Sequence, residues 1–131
     1  MRLLLDTHIW LWLNLEPVRL PESVATALAP PENEILVSVA SIWELSIKER
    51  LGKLTVPGSF QEFVRDDLVA IATLDISRAH IERLHALPDI HRDPFDRILV
   101  AQALAEGLVL ATVDPVLAQF PAALLPESNT T

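Results

Sequence analysis

The sequence alternates short, uninterrupted apolar runs with longer segments of helical periodicity, and this alternation limits the folds open to the chain. Runs that are apolar at every position predict strands that are covered on both faces. Parallel strands need long crossover connections, so strands separated by helices predict a parallel sheet with helices on both faces. We therefore expect an α/β fold.

The boundaries of the elements follow from the apolar runs and from the breakers between them. The predicted strands are Leu3–Leu5, Ile35–Val37, Ala70–Ala72 and Leu108–Ala111, with Ala123–Leu125 as a short fifth strand at the edge. The predicted helices are Thr7–Leu15, Glu22–Leu28, Ala40–Leu51, Phe60–Asp67, Ser77–Ala86 and Pro94–Glu106, the last of them stopped by Gly107. The length of 131 residues suits a single domain, which we place at 1–125, followed by a polar and frayed C-terminal tail at 126–131.

Charge and cysteine content exclude several classes of protein. With 18 acidic residues against 10 basic ones, the formal net charge is −8, which argues against a broad basic surface for nucleic acid. The absence of cysteine excludes disulfides, zinc–thiolate sites and thiol nucleophiles. No apolar run approaches the ~18 residues of a membrane helix. We expect a soluble cytoplasmic protein with no membrane contact.

Four carboxylates fall where ligand sites form in open parallel sheets, beyond the carboxyl ends of the strands. Asp6 directly follows the first strand, and Asp114 follows the fourth. Glu44 lies early in the helix after the second strand, and Asp96 lies in the first turn of the helix that leads into the fourth. All four are expected at the same end of the sheet.

Helix capping is the alternative role for the aspartates that precede helices. Asp6 can cap the helix starting at Thr7, and taken singly Asp6 or Asp114 is better explained as a cap. For Asp93, which precedes Pro94, capping and a direct chemical role are equally good interpretations.

Glu44 and Asp96 are harder to explain as structural residues. Glu44 is the only polar member of a row predicted to face the core: Ala40, Trp43, Glu44, Ile47, Leu51. A capping box with Ser41 or a surface pair with Lys48 are the alternatives, although Ser38 is the better-placed cap. Asp96 repeats the pattern in a row with Leu99, Val100 and Ala103.

Carboxylates gathered in one place either take up protons or bind a cation, because a pair ~4 Å apart repels by about 4 kcal/mol at an effective dielectric near 20. Oxygen ligands without cysteine favour Mg²⁺ or Mn²⁺. Such ions polarise a phosphoryl oxygen and activate water, as phosphodiester hydrolysis requires. Of the histidines, His80 and His85 are expected on solvated helix surface, whereas His91 lies near enough to the site to contact substrate.

Four motifs in this order resemble the PIN-domain family, and more closely its VapC-type toxins from bacterial toxin–antitoxin systems. They are Leu4-Leu5-Asp6-Thr7-His8, Ser41-Ile42-Trp43-Glu44-Leu45, His91-Arg92-Asp93-Pro94-Phe95-Asp96-Arg97 and Ala111-Thr112-Val113-Asp114. The resemblance extends from Met1 to about Phe120. It implies a three-layer α/β/α fold with a central parallel sheet of four to five strands, and a Mg²⁺- or Mn²⁺-dependent endoribonuclease.

The resemblance also implies roles for individual residues. Carried over by position, the catalytic and metal-binding acids are Asp6, Glu44, Asp96 and Asp114, with Asp93 as a further acidic position. Thr7 and Thr112 match hydroxyl positions beside the metal, and Arg97 or Lys48 is expected to meet the phosphate, although structural pairing explains Arg97 equally well. Pro115 after Asp114 is a departure that affects the reach of that side chain. The implied partners are an RNA substrate, a cognate antitoxin and a second copy in a homodimer.

Two other functions compete with this interpretation. A non-catalytic PIN-like module could use its apolar helices to hold a partner protein, and the helix of Trp10 and Trp12, which has almost no polar face, is compatible with a partner or self-association surface. A phosphotransfer domain with Asp6 as nucleophile fits less well, because His8 stands where a second aspartate is wanted.

Overall fold

The computed structural model describes residues 1–68 and 71–126 of the chain. Its sheet has five parallel strands in the order β3-β2-β1-β4-β5. The strands are β1 (Arg2–Leu5), β2 (Glu34–Ser38), β3 (Ala72–Leu74), β4 (Val109–Ala111) and β5 (Leu124–Leu125). The predicted α/β class, the parallel sheet and the short fifth strand are confirmed.

Six helices connect the strands. They are α1 (Thr7–Leu15), α2 (Glu22–Leu28), α3 (Val39–Arg50), α4 (Phe60–Asp67), α5 (Arg78–His85) and α6 (Pro94–Glu106). Short 3-10 helices cover Pro17–Arg19, which was not predicted, and Pro115–Gln119, where the capping role considered for Asp114 had indicated a helical start. Gly107 ends α6 at a φ of 66°, a left-handed conformation that favours glycine. Among the described residues, no helix is long and apolar enough to cross a membrane.

The helices form two layers because successive strand residues face opposite sides of the sheet. Leu3 and Leu5 of β1 belong to a core cluster with residues of α1, α2 and α3, whereas Leu4 packs in a second cluster with Leu99 and Val100 of α6. All three leucines are completely buried. This arrangement is the three-layer α/β/α architecture, with the sheet between two apolar cores.

The third strand lies two residues further along the chain than predicted. The apolar run indicated Ala70–Ala72, whereas β3 pairs with β2 through Ala72, Thr73 and Leu74; Ala70 lies outside the described residues. Pairing with β2 sets the extent of this edge strand, and the apolar run alone does not. Residues 127–131 of the predicted tail also lie outside the described residues.

Helix α1 hides most of its apolar surface within the chain. Ile9 and Trp10 are completely buried, and the Trp10 indole nitrogen donates a hydrogen bond to Asp67. Trp12 is partly buried, and the guanidinium of Arg19 lies 4.5 Å from the centre of its ring. The apolar character of α1 is therefore largely explained by packing within the chain.

The predicted core-facing row of α3 is wrong in part. Glu44 and Ala40 are buried, but Trp43 is 60% exposed, Leu51 is 64% exposed and Ile47 is also exposed. The buried side of the helix instead contains Ala40, Ser41, Glu44 and Leu45. The helix is rotated so that its polar residues Ser41 and Glu44 face inward, which leaves an apolar stripe on the surface.

His80 is also placed differently from the prediction. It was expected on solvated surface, but it is only 1% exposed, whereas His85 is exposed as predicted. The Ser77 amide donates to His80 Nδ1 at 3.0 Å, and His80 Nε2 lies 2.8 Å from Glu106 Oε1. These partners satisfy the imidazole inside the α5–α6 interface, which is why it can be buried.

Candidate metal centre

The acidic residues gather at the carboxyl end of the central strands. Strands β2 and β3 lie on one side of β1, and strands β4 and β5 lie on the other side. The order in which the strands are added therefore reverses at β1. Asp6 follows β1, and Asp114 lies beyond the end of β4. A crevice at this kind of switch point is where open parallel sheets bind ligands.

Asp6 is a helix cap whose carboxyl group is also held in an unfavourable environment. Its Oδ1 accepts the Ile9 amide at 2.8 Å, which makes it the N-cap of α1. Burial raises the pKa of Asp6, hydrogen bonds from Thr112 and Ile9 oppose this rise, and the charge of Asp114 adds to it. Capping and a role in the acidic centre are therefore compatible for this residue.

Glu44 is buried on the inner side of α3 and has partners on both carboxylate oxygens. Thr7 Oγ1 donates to Glu44 Oε1 at 2.7 Å, and the same hydroxyl oxygen lies 2.9 Å from Ser41 Oγ. Lys48 Nζ lies 3.0 Å from Glu44 Oε2. Ser38 caps α3 by accepting the Ala40 amide at 3.0 Å, as the sequence indicated. Glu44 is thus left to face the site.

Asp96 lies in the first turn of α6, and its carboxyl group is strongly perturbed. Burial raises its pKa to about 6; the hydrogen bond to His91 opposes the rise, and the charges of Asp93, Glu44 and Asp6 add to it. His91 Nε2 lies 2.9 Å from Asp96 Oδ2. The charge of Asp96 is therefore coupled to three other acids.

Asp93 and Asp114 both cap helical segments through one oxygen. Asp93 Oδ1 accepts the amides of Phe95 at 2.9 Å and Asp96 at 3.4 Å. Asp114 Oδ1 accepts the Val116 amide at 3.0 Å, while its own amide donates to Thr112 Oγ1 at 3.1 Å. Each cap uses one carboxylate oxygen, which is compatible with the other oxygen acting as a ligand.

Arg97 holds the loop that leads into α6. Its Nη1 donates to the carbonyl oxygens of Pro88 at 2.8 Å and His91 at 3.2 Å. The partners are backbone carbonyls, and not the neighbouring acid that the sequence suggested as an alternative. Arg97 thereby fixes the position of His91.

The predicted acids influence one another electrostatically: Asp96 senses the charges of Asp93, Glu44 and Asp6, and Asp6 senses that of Asp114. Among the described residues, the potential ligand atoms that lie within 4.8 Å of one another belong to His91, Asp93 and Asp96. Of the four predicted ligands, only Asp96 is a member of this set.

Sequence reasoning missed two residues of this centre. His91 was expected only to contact substrate, although its place five residues before Asp96 was the available signal. Ser41 was considered only as a cap, although it precedes Glu44 by three positions and so lies on the same helix face.

The residues present fit a hard divalent cation. The donors are carboxylate oxygens with one imidazole nitrogen at their edge. Burial and mutual repulsion raise the pKa of both Asp6 and Asp96, so the ionised cluster is unstable without a compensating positive charge. A divalent cation supplies that charge and prefers these ligands.

A groove of about 500 Å³ opens beside the acids. Its lining combines acidic, basic and apolar side chains: Glu44, Ile47, Lys48, Leu51, Lys53, Arg92, Asp93, Pro94 and Phe95. Trp43 packs edge-on against Phe95 with ring centres 5.0 Å apart. The exposed apolar stripe of α3 is therefore continuous with the wall of the groove.

Residues 3–123 match the family model of the PIN domain, and the chain belongs to this family. PIN domains are typically nucleases, and family membership therefore places the protein among the hydrolases. The fold and the acidic centre agree with this membership. No curated protein matches the chain.

Several solved structures share the fold over nearly the whole chain. VapBC2 from Rickettsia felis, bound to a DNA fragment from its promoter, is 20% identical with a TM-score of 0.73 over 95% of this chain and 97% of that one. DNA-bound VapBC from Salmonella typhimurium is 16% identical with a TM-score of 0.71, covering 95% and 96%. A toxin–antitoxin complex from Klebsiella pneumoniae is 24% identical with a TM-score of 0.64, covering 96% and 98%. The chain is thus similar in fold to proteins of VapBC systems.

Proposed function

We propose that this protein is a divalent-metal-dependent endoribonuclease and the toxin of a type II toxin–antitoxin pair. The observation that carries the proposal is the position of Asp96, partly buried among the charges of Asp93, Glu44 and Asp6 at the end of a PIN-domain sheet. Clustered acids disfavour one another's ionised forms, which does not stabilise the fold. A bound cation requires such a cluster and compensates its charge.

Asp6, Glu44, Asp96 and Asp114 are the proposed ligands of Mg²⁺ or Mn²⁺. When bound, such a cation polarises a phosphoryl oxygen and makes water a better nucleophile. The chain's own residues orient the ligands: the Thr7 hydroxyl donates to Glu44 Oε1, and the Ile9 amide donates to Asp6 Oδ1. Buried hydrogen bonds of this kind fix the carboxylates before substrate arrives.

The groove supports a phosphodiester substrate. Lys48, Lys53 and Arg92 line it beside Glu44 and Asp93, so cationic side chains lie next to the acidic centre. The overall charge of −8 favours a few local phosphate contacts over a broad basic surface. RNA is the proposed nucleic acid. Mapping the ends of the cleavage products identifies the sequence that is cut.

Cleavage of an end-labelled RNA pool with and without Mg²⁺ or Mn²⁺ tests the activity. We expect metal-dependent cleavage by the wild type and at least a hundredfold loss in Asp6→Asn and Asp96→Asn, each with an unchanged circular dichroism spectrum. Asp89→Asn is the matched control, because Asp89 is an exposed aspartate in the loop that precedes α6. Full cleavage by both site variants would rule out the proposal.

The proposed protein partners are a cognate antitoxin and a second copy of the chain. The exposed stripe of Trp43, Ile47 and Leu51, together with Phe95, offers an apolar surface directly beside the acids, where a bound antitoxin segment would block access. Induced expression in a bacterium should arrest growth, whereas expression of Asp96→Asn should not. Light scattering of the purified chain should give the mass of a homodimer.

The same apolar surface favours one alternative function, a PIN-like module that binds protein without catalysis. Calorimetry with Mn²⁺ separates the two functions. Heat of binding and a metal-dependent rise in melting temperature are expected for the nuclease, and neither is expected for the binding module.

A further inference from the structure

His91 places an imidazole nitrogen in direct contact with an acid of the centre. Its side chain is 22% exposed and that of Asp96 is 20% exposed, so both face the same partly solvated space. His91 Nε2 is 2.9 Å from Asp96 Oδ2, and Asp93 contributes a third atom within 4.8 Å of both.

The backbone around these three residues is held in place. Arg97 Nη1 binds the His91 carbonyl at 3.2 Å and the Pro88 carbonyl at 2.8 Å. Asp93 is fixed as the N-cap of α6 by the Phe95 amide. The backbone that carries the imidazole is therefore held by contacts that do not depend on the bond between His91 and Asp96.

The spacing of the donors suits one octahedral cation. Metal–ligand distances of about 2.1 Å place adjacent ligands about 3.0 Å apart, and the separation of His91 Nε2 and Asp96 Oδ2 matches this edge. A hydrogen bond between the two atoms has a similar length, and spectroscopy of the bound metal distinguishes it from shared coordination.

We propose that His91 is a nitrogen ligand, and Asp93 a carboxylate ligand, of a divalent cation shared with Asp96, and that the site therefore favours Mn²⁺ over Mg²⁺. This inference rests on the proposed metal site and names two ligands, His91 and Asp93, outside the four acids. Mg²⁺ is bound through oxygen ligands, whereas the transition-metal ion Mn²⁺ tolerates a nitrogen ligand better, so an imidazole shifts selectivity toward Mn²⁺.

The other histidines are placed differently. His80 is buried against Glu106, and His85 is exposed on α5. His8 is exposed on α1 beside Trp12, with ring centres 6.2 Å apart. Because His8 follows Asp6 by two residues, it is the necessary control for nitrogen near the acids.

Pulsed electron paramagnetic resonance of bound Mn²⁺ tests the proposal, because the spin-echo envelope is modulated by a directly coordinated ¹⁴N nucleus. The wild type should show this modulation, His91→Asn and His91→Gln should lose it, and His8→Asn should keep it. Direct titration should show Mn²⁺ affinity falling about tenfold in His91→Asn, with a smaller change for Mg²⁺. Circular dichroism establishes that each variant is folded.

The outcomes separate this inference from the proposed function. Bound Mn²⁺ without ¹⁴N modulation in the wild type, or modulation that persists in both His91 variants, overturns the ligand role of His91 and leaves the four-acid site standing. If the modulation is lost in His8→Asn and kept in the His91 variants, the nitrogen ligand is His8 and the ligand role of His91 is overturned. A wild type that binds no Mn²⁺ overturns both proposals.

Discussion

Thr7 and Glu44 are 37 positions apart in the chain, yet Thr7 Oγ1 and Glu44 Oε1 lie 2.7 Å from each other in a buried hydrogen bond. This contact joins the first turn of α1 to the inner side of α3. It ties the helix after β1 to the helix after β2 at the point where the acids gather.

Replacing Thr7 by Val removes this hydrogen bond without changing the shape of the side chain. Because a buried carboxylate oxygen then loses a donor, we expect the free energy of unfolding to fall by about 1–3 kcal/mol. Urea denaturation in the absence of metal measures the change. Thr7→Ser keeps the hydroxyl and should lose less stability; equal stability of the Val variant and the wild type would contradict the role of this contact.

Asp96→Asn should make the metal-free protein more stable at neutral pH. The pKa of Asp96 rises from 3.8 to about 6 on folding, so between these pH values the folded state binds more protons at this site than the unfolded state. The free energy of unfolding therefore falls as pH rises through this window. The Asn variant lacks this loss, and we expect it to be about 1–3 kcal/mol more stable at pH 7.5 but close to the wild type at pH 4.

Urea denaturation at both pH values in the presence of a chelator checks this prediction. Asp89→Asn, which changes an exposed aspartate, serves as the reference for the effect of removing one charge. An Asp96→Asn protein that is less stable than the wild type at pH 7.5 would show that its carboxylate is not strained by its neighbours.

Arg97→Ala tests whether Arg97 positions the loop or binds substrate. Losing the contacts to Pro88 and His91 should free the loop and lower metal affinity about tenfold. Amide hydrogen exchange of residues 89–92 should become faster, while the KM for RNA at saturating metal changes little. A large rise in KM with unchanged exchange would instead indicate a direct phosphate contact. Arg97→Lys should have a metal affinity and an amide exchange rate between those of the wild type and those of Arg97→Ala.

Leu51→Asp should change partner binding without changing stability. Leu51 is 64% exposed, so the substitution should alter the free energy of unfolding by no more than about 0.5 kcal/mol. In cells where a co-expressed antitoxin restores growth, the Leu51→Asp variant should escape this rescue. Ile81→Asp introduces the same charge at an exposed apolar residue of α5 and should still be rescued.

The architecture could be predicted because its signals are local. Continuous apolar runs indicated buried strands, and the caps and breakers placed the helices to within one or two residues, including the stop at Gly107. The third strand shifted because its extent depends on pairing with β2, which no local pattern reports.

The details of the site depended on packing that the sequence does not reveal. Trp43, Ile47 and Leu51 have the spacing of a core stripe but lie on the surface, because α3 turns Ser41 and Glu44 inward. Periodicity gives the angle between side chains around a helix, not which of them faces the sheet. His80 was misplaced for a related reason, since only the folded α5–α6 pair brings Glu106 to it.

The order of the strands affects when the acidic centre can form during synthesis of the chain. Strand β1 is synthesised first but pairs with β4, which comes more than 100 residues later. Asp6 and Glu44 are therefore synthesised long before Asp96 and Asp114 can join them. A nascent chain that has not yet reached α6 lacks half of the four proposed ligands, so the proposed metal centre can form only after the late strand β4 has paired with β1.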